Sequence, residues 1–493
     1  MPPIHIKNPA TLAALDTVPD CGAEDVERAV RAAAAAQPAW GEMPAAERVA
    51  LLREMARRVR ARRASLALSL SRESGKPLCE ACDCIDAAAD MFERCGGVDR
   101  SRVEAPGVEA PGVEAPGVEA PGVEAPGVAA PGVAAPGPAP AAGPRRGDIT
   151  AVITPYNFPV LAFAASAVSA LAASATLVFK APPQDPLTLL EIVRLGDFLP
   201  TGVINVVTGG AESAELLVAH PQVSRVSFTG SSAVARRLQA LVRGKSLDLE
   251  SGSLDVFIVC KDADLERAVP AIAWSRLMNA GQTCASPRHI YVERTIAAEL
   301  ADRMHQYVGF LDVDDPAKPP TDLGPLISVE AAQRVEDQVG RTLRAGARLI
   351  LGGRRFRPSG LPGHFFQPTI LGNVPAGSVP TREEILGPVI TMTPVTDLGH
   401  ALELAGHAAT PARAWIYTGD PDATARDVQA RGGTFFVNDP GDPKAGPFGG
   451  LRPGRVLAAL AALPAQNPVS GIARTAAAIE PKPWWFPYLE RRS

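Results

Sequence analysis

Aromatic residues are scarce in this 493-residue chain, at 5%, and so is any imbalance of charge: 49 Lys and Arg face 53 Asp and Glu, a formal net charge of −4. Without a basic excess there is no broad field to draw nucleic acid or an anionic membrane, and neither is expected as a partner. A basic segment leading into an apolar run and a small-residue cleavage site is missing from MPPIHIKNPATLAAL, so no secretory signal is read and a cytoplasmic location is expected. The longest uncharged stretch, Ile149 to Phe179, is broken by Asn157 and two prolines, which suits a strand, loop and buried helix better than a membrane span. The seven histidines include no HExxH pair, which removes the usual zinc hydrolase. The seven cysteines form an odd set without regular spacing, so a secreted disulfide framework is excluded and reduced thiols are expected. Cys79, Cys82 and Cys84 lie close together, but no second cysteine pair or nearby histidine completes four ligands. Thiols on an Ala-rich helix are the plainer reading, and no metal site is assigned.

What is present is ample apolar material, 46% of residues, in a chain longer than one hydrophobic core usually serves, so two large lobes are expected. Residues 24 to 95 read as two or three helices. The composition then changes abruptly: VEAPG occurs five times and VAAPG twice between Val103 and Gly137, followed by PAPAAGP to Pro144. A Pro-Gly step every five residues blocks helix and sheet interiors, and Val and Ala bury too little to offset ordering, so mobile, turn-rich chain is expected there. From Ile149 onward strands and helices alternate. ITAVI, TLVFK, GVINVV and VSRVSF read as strands of a parallel sheet with a dinucleotide-scale crevice at their carboxyl ends, and LDVFIV, RHIYV, ARLILGG, ITMTPV, ARAWIYTG and GTFFVND as strands of a second α/β lobe.

Three local sequences carry chemistry. Cys284 in NAGQTCASPRHIYV sits on a turn before an apolar strand; a cysteine is a nucleophile only as thiolate, so positive charge, backbone N–H groups or a base should lie nearby. ITPYNFPV places Asn157, an amide donor suited to an oxyanion, between a strand and a helix, and SLDLESGSLDVFIV places Glu250 just before a small-residue turn and a strand. In this order the three resemble the Pro-aromatic-Asn-Phe-Pro loop, Glu-x-Gly turn and Gly-Gln-x-Cys loop of the aldehyde dehydrogenase superfamily. ESGKP at 73–77, FTGS at 228–231, GPLIS at 324–328, EEILGPV at 383–389 and PFGG at 447–450 extend the resemblance over nearly the whole chain outside 103–144. The 34 positions from Glu250 to Cys284 match the hydrolytic branch.

The resemblance implies an aldehyde substrate, NAD or NADP as cofactor, and an α/β fold of two lobes. The coenzyme-binding, Rossmann-like lobe comprises 1–102 and 148–251, the catalytic lobe 252–462. The repeat at 103–147 takes the place of the oligomerisation hairpin, and 463–493 is a docking or oligomerisation tail. It also implies that Cys284 attacks the carbonyl, that Asn157 and the Cys284 N–H hold the oxyanion, and that Glu250 activates water to release the acid. Thr154, Tyr156, Lys180, Gly230, Ser231 and Glu384 would contact the cofactor. Several positions depart from the family: Pro183 stands where NAD-preferring relatives carry Glu, which removes a repulsion towards a 2′-phosphate, while Ala235, Leu386, Ser251 and Ser253 alter the phosphate helix, the nicotinamide neighbour and the Glu turn. The altered hairpin weakens the expectation of a homo-oligomer, although the apolar PKPWWFPY tail favours some docking contact. Asp439, Lys444 and Arg452 lie near the substrate-entry segment, where a solvated surface role is equally consistent. Two rival readings accompany the first, a CoA-acylating relative, which Glu250 disfavours, and a catalytically impaired paralogue acting as a binding protein.

Overall fold

Short-range signals set the first hundred residues. Gly22 opens the helix Ala23–Glu42, with its N–H held by the Asp25 carboxylate at 3.1 Å, the reciprocal contact that satisfies an otherwise orphan donor. Pro44 and Pro77 precede the helices Ala45–Ala61 and Leu78–Glu93, and Gly75, in the left-handed region at φ 81°, ends the helix Arg63–Ser74. The expected two or three helices are therefore four, because Arg62 and the Gly75-Lys76-Pro77 turn break an otherwise continuous helical periodicity. The Leu78–Glu93 helix buries Ala81, Cys84, Ile85, Ala88, Ala89 and Phe92, the spacing of one helical face. Cys84 is thus a core residue while Cys79 is exposed.

The structure is a computed structural model that describes residues 2–97, 147–242, 244–251, 255–284, 286–406, 413–429 and 434–438. The VEAPG repeat, Ser253, Asp439, Lys444, Arg452, the PFGG motif and the PKPWWFPY tail lie outside the described residues. A hairpin of β1 (Ile4–Lys7) and β2 (Ala14–Val18) precedes the helices. The first large sheet contains β3 (Ile149–Ile153), β4 (Thr176–Lys180), β5 (Ile204–Val207), β6 (Arg225–Gly230) and β7 (Ser246–Ser251), in the order β5-β4-β3-β6-β7 and parallel throughout. The second contains β8 (Val256–Val259), β9 (His289–Glu293), β10 (Arg348–Leu351), β11 (Thr369–Gly372), β12 (Val389–Val395), β13 (Arg413–Tyr417) and β14 (Thr434–Val437). Its order is β10-β11-β12-β9-β8-β13-β14, with only the β10–β11 pair antiparallel.

Four strands, β1, β2, β7 and β11, were not read from the sequence. Glu250 precedes the strand β8, as read, but also lies inside a strand that was not read, β7, where it is backbone-paired opposite Thr229; the polar SLDLES segment is held by pairing with β6, a tertiary effect that alternation alone does not signal. The four-residue β11 had no period long enough to read.

Buried apolar side chains fix the first sheet against its helices. Strands β3 and β4 are buried at every position, as a parallel sheet covered on both faces requires. Phe163 and Phe179 pack with ring centres 4.7 Å apart, each contributing on the order of 2–3 kcal/mol by burial. Glu73 of the ESGKP segment, fully buried, accepts the backbone N–H groups of Leu187 and Thr188 at 2.7 Å each. It caps the start of the helix Leu187–Leu195 and docks the N-terminal helices on this sheet. No helix among the described residues is long and apolar enough to cross a membrane.

Candidate active site

Chain reversal between β3 and β6 creates the crevice. Strands β4 and β5 lie on one side of β3, β6 and β7 on the other, so the loops leaving adjacent carboxyl ends diverge and open a cleft at the switch point. Thr154, Tyr156 and Asn157 leave the end of β3; Lys180 ends β4; Gly230 ends β6; Glu250 is next to last in β7. Six of the residues read from sequence thus share one rim. The side chain of Glu250 lies outside what the structure describes.

Cys284 reaches this rim from the second sheet. The helix Leu265–Leu277 ends in a turn where Asn279, Ala280 and Gly281 adopt φ values of 55°, 53° and 72°. Left-handed backbone costs about 1–2 kcal/mol for each non-glycine residue, and a dense network offsets that strain. Asn157 Nδ2 donates to the Gln282 carbonyl at 2.9 Å, and Asn279 Nδ2 donates to the Asn157 carbonyl at 2.9 Å. Gln282 Nε2 donates back to the Asn279 carbonyl at 3.1 Å, while its Oε1 accepts the Ile327 N–H of the GPLIS segment at 3.0 Å. Asn157, 125 positions away in sequence, is thereby bound two residues before Cys284.

The EEILGPV segment closes the other side. A Cβ at Gly281 would stand 1.9 Å from the Gly387 carbonyl oxygen, so only glycine permits the two loops to touch. Arg276, buried, donates to the Val389 carbonyl at 2.8 Å through Nη2 and to Ser286 Oγ at 3.3 Å, tying both loops to one guanidinium. Burial lowers its pKa to about 10, which leaves it charged. Sequence reading missed Arg276; its signal was a lone cation on the apolar face of LERAVPAIAWSRL.

Burial separates Cys284 from three of the other thiols. Cys84, Cys95 and Cys260 are buried, and burial pushes their thiols up to about 11, 11 and 12. Cys284 is half-buried and lies within the field of Arg288, whose guanidinium also feels Glu384 and Asp255. His289 is no candidate base: burial drives its pKa to about 3, and its ring nitrogens meet Thr391 and Thr393 at 2.7 and 2.8 Å. Burial also raises the Tyr156 phenol, which stays neutral.

The cofactor side has a different character. Lys180 is 5% exposed, and burial pulls its pKa down to about 8, partly opposed by Asp20. Thr154 Oγ1 is buried without a hydrogen-bond partner. Glu384 lies 3.2 Å from Arg288, but its Oε1 is not aligned in a hydrogen bond, and burial raises its pKa. Ser231 caps the helix Ser232–Gln239 by accepting the Val234 N–H at 3.4 Å, and Gly230 lets the chain pass the Phe228 ring, which a Cβ would meet at 2.5 Å. Buried donors and acceptors left unsatisfied around a cation and a helix start are what a ribose and a phosphate would complete, so these residues fit a dinucleotide. Among the described residues no cluster of His, Cys, Asp and Glu could hold a metal ion.

Together these contacts bring the Asn157 loop, the Cys284 turn and the EEILGPV segment to one place on a two-sheet α/β scaffold. The aldehyde dehydrogenase family model matches residues 2–113 and 148–454, and the chain belongs to that family, NAD(P)-dependent enzymes that oxidise aldehydes to carboxylic acids. It is 32% identical over 459 residues to the NADP(+) succinate-semialdehyde dehydrogenase of Escherichia coli, covering 91% of this chain and 89% of that one. It is 29% identical to Escherichia coli lactaldehyde dehydrogenase over 88% of this chain and 87% of that one. Among solved structures, an Escherichia coli NADP-dependent enzyme superposes with a TM-score of 0.77 at 31% identity, covering 89% and 87% of the two chains. A 3,6-anhydro-L-galactose dehydrogenase does so with a TM-score of 0.76 at 26% identity, covering 89% and 88%.

Proposed function

We propose that Cys284 is the nucleophile, Asn157 the oxyanion donor and Glu250 the general base of an NADP-dependent oxidation of an aldehyde to its acid. The observation that carries this reading is the Asn157 amide bound to the Gln282 carbonyl, which brings an amide donor from one sheet to the nucleophile loop of the other. Attack of the Cys284 thiolate makes a thiohemiacetal whose oxyanion accepts from the second Asn157 N–H and the Cys284 backbone N–H, the kind of preorganised pair that contributes most where charge develops. The bound dinucleotide supplies the hydride acceptor. Cys284 is left acylated, and Glu250, at the carboxyl end of β7, takes a proton from the water that attacks the thioester.

Lys180 and Ser231, with Thr154, Tyr156, Gly230 and Glu384, would hold the dinucleotide. Pro183 leaves no carboxylate to repel a 2′-phosphate, and several relatives are named for NADP(+). The lobe boundaries at 148, 251 and 462 are read in the same way. Purified enzyme mixed with an aldehyde panel, NAD+ or NADP+, with and without CoA, tests the reading. Reduced nicotinamide should form without CoA and faster with NADP+; strict dependence on CoA would replace Glu250 as the deacylating agent, and no turnover at all would leave a binding protein.

A further inference from the structure

Behind the Asn157 loop lies a set of ionisable groups that the reaction above does not use. Lys76 is wholly buried, its Nζ 4.0 Å from the centre of the Phe158 ring and without a hydrogen-bond partner. Glu80, in the first turn of the helix Leu78–Glu93, accepts the Asn279 backbone N–H through Oε2 at 2.8 Å. Lys76 is the cation whose field acts on that carboxylate. The contact spans 199 positions and joins the N-terminal helices to the strained turn that leads into the nucleophile.

Asn279 stands at the junction. Its backbone N–H is held by Glu80, its side-chain amide holds the Asn157 carbonyl, and its own carbonyl accepts from Gln282. A left-handed residue followed by a left-handed alanine keeps such a conformation only where its surroundings over-determine it. Glu80 acts on one side and Asn157 and Gln282 on the other. Asn279 Nδ2 is the donor to the carbonyl of Asn157, whose own amide must aim at the reacting oxygen.

We propose that Glu80 and Asn279 are positioning residues for the oxyanion donor: Glu80 anchors the Asn279 backbone, and Asn279 holds the Asn157 carbonyl. The inference rests on the reading of Asn157 as the oxyanion donor. Its consequence is kinetic, because an amide displaced by about 1 Å from a developing oxyanion can cost on the order of 10²-fold in rate.

The test uses the full-length enzyme and follows the burst of reduced nicotinamide in stopped flow, normalised to sites titrated by iodoacetamide at Cys284, with NADP+ affinity measured separately. Glu80→Leu and Asn279→Ala should each slow the burst per titrated site by roughly 10²-fold while NADP+ affinity stays within about twofold. Glu80→Gln, which retains an acceptor oxygen, should restore most of the rate. In an Asn157→Ala background Asn279→Ala should cost nothing further, since residues that act through one another are not additive. Should Glu80→Leu fail to accumulate, Asn279→Ala decides, because it leaves the Glu80 contact to the backbone in place. A burst at wild-type rate in Asn279→Ala, or full additivity with Asn157→Ala, overturns the positioning role alone. A wild-type burst in Asn157→Ala overturns the oxyanion reading itself and this inference with it.

Discussion

The two walls of the cleft are built on opposite plans. On the wall that carries the proposed nucleophile, Asn157, Asn279 and Gln282 are hydrogen-bonded to one another and to the chain around them. On the cofactor wall Thr154 Oγ1 and Glu384 Oε1 are buried without hydrogen bonds, and Lys180 is buried far enough to lose much of its basicity. A catalytic donor gains from being fixed before the substrate arrives, because reorganisation then costs nothing during the reaction. A ligand-binding wall gains from unsatisfied groups, because the ligand completes them. Changes to the first wall should therefore lower rate at constant cofactor affinity, and changes to the second should do the reverse.

The sharpest break is at the sulfur. Cys284→Ala should abolish turnover, by at least roughly 10⁴-fold, with NADP+ binding retained in a fluorescence titration; loss of binding as well would mean that the walls are not separable. Glu250→Gln should slow steady-state turnover by roughly 10²–10⁴-fold yet keep the first burst of reduced cofactor, and a burst lost together with turnover would place the carboxylate before deacylation. Gly281→Ala forces apart loops that touch through a carbonyl 1.9 Å from the new Cβ. A fall in kcat of roughly 10²-fold and a destabilisation of about 1–3 kcal/mol should appear together, in kinetics and in denaturant melts.

The second wall is tested by pH. Lys180 is charged below about 8 and neutral above it, so its attraction for the cofactor is complete at low pH and lost as pH rises through that value. Between pH 7 and 9 the KM for NADP+ should rise by up to about tenfold, and Lys180→Met should remove most of that dependence. The smallest effect belongs to the helix thiols: Cys79→Ser and Cys82→Ser should change kcat by less than about twofold, since Cys79 is exposed and Cys82 half-buried on the helix that presents Glu80.

The sequence made legible what is local. Asn157, Glu250 and Cys284, the residues proposed to react, each sit in or beside a short motif that the sequence displays, and the alternation after Ile149 announced parallel sheets. The bracing was not legible. Asn279 and Ala280 take left-handed backbone without being glycine, which no residue pattern announces, and Glu80 looked like an ordinary acidic residue in a first helical turn. Arg276 reads as one of three charged residues in its helix until its carbonyl partners from the EEILGPV segment are in place. Each of these depends on a contact more than 100 positions away, and such contacts are set by the fold.

One experiment bears on the convergence of sulfur and carboxylate most directly. Glu250→Gln enzyme is incubated with an aldehyde and NADP+, quenched in acid, digested and weighed peptide by peptide. The peptide containing Cys284 should carry the acyl group, the mass of the aldehyde less two hydrogens, in stoichiometric amount and sensitive to hydroxylamine. An unmodified Cys284 alongside reduced cofactor, or an acyl group on any other cysteine, would contradict the account.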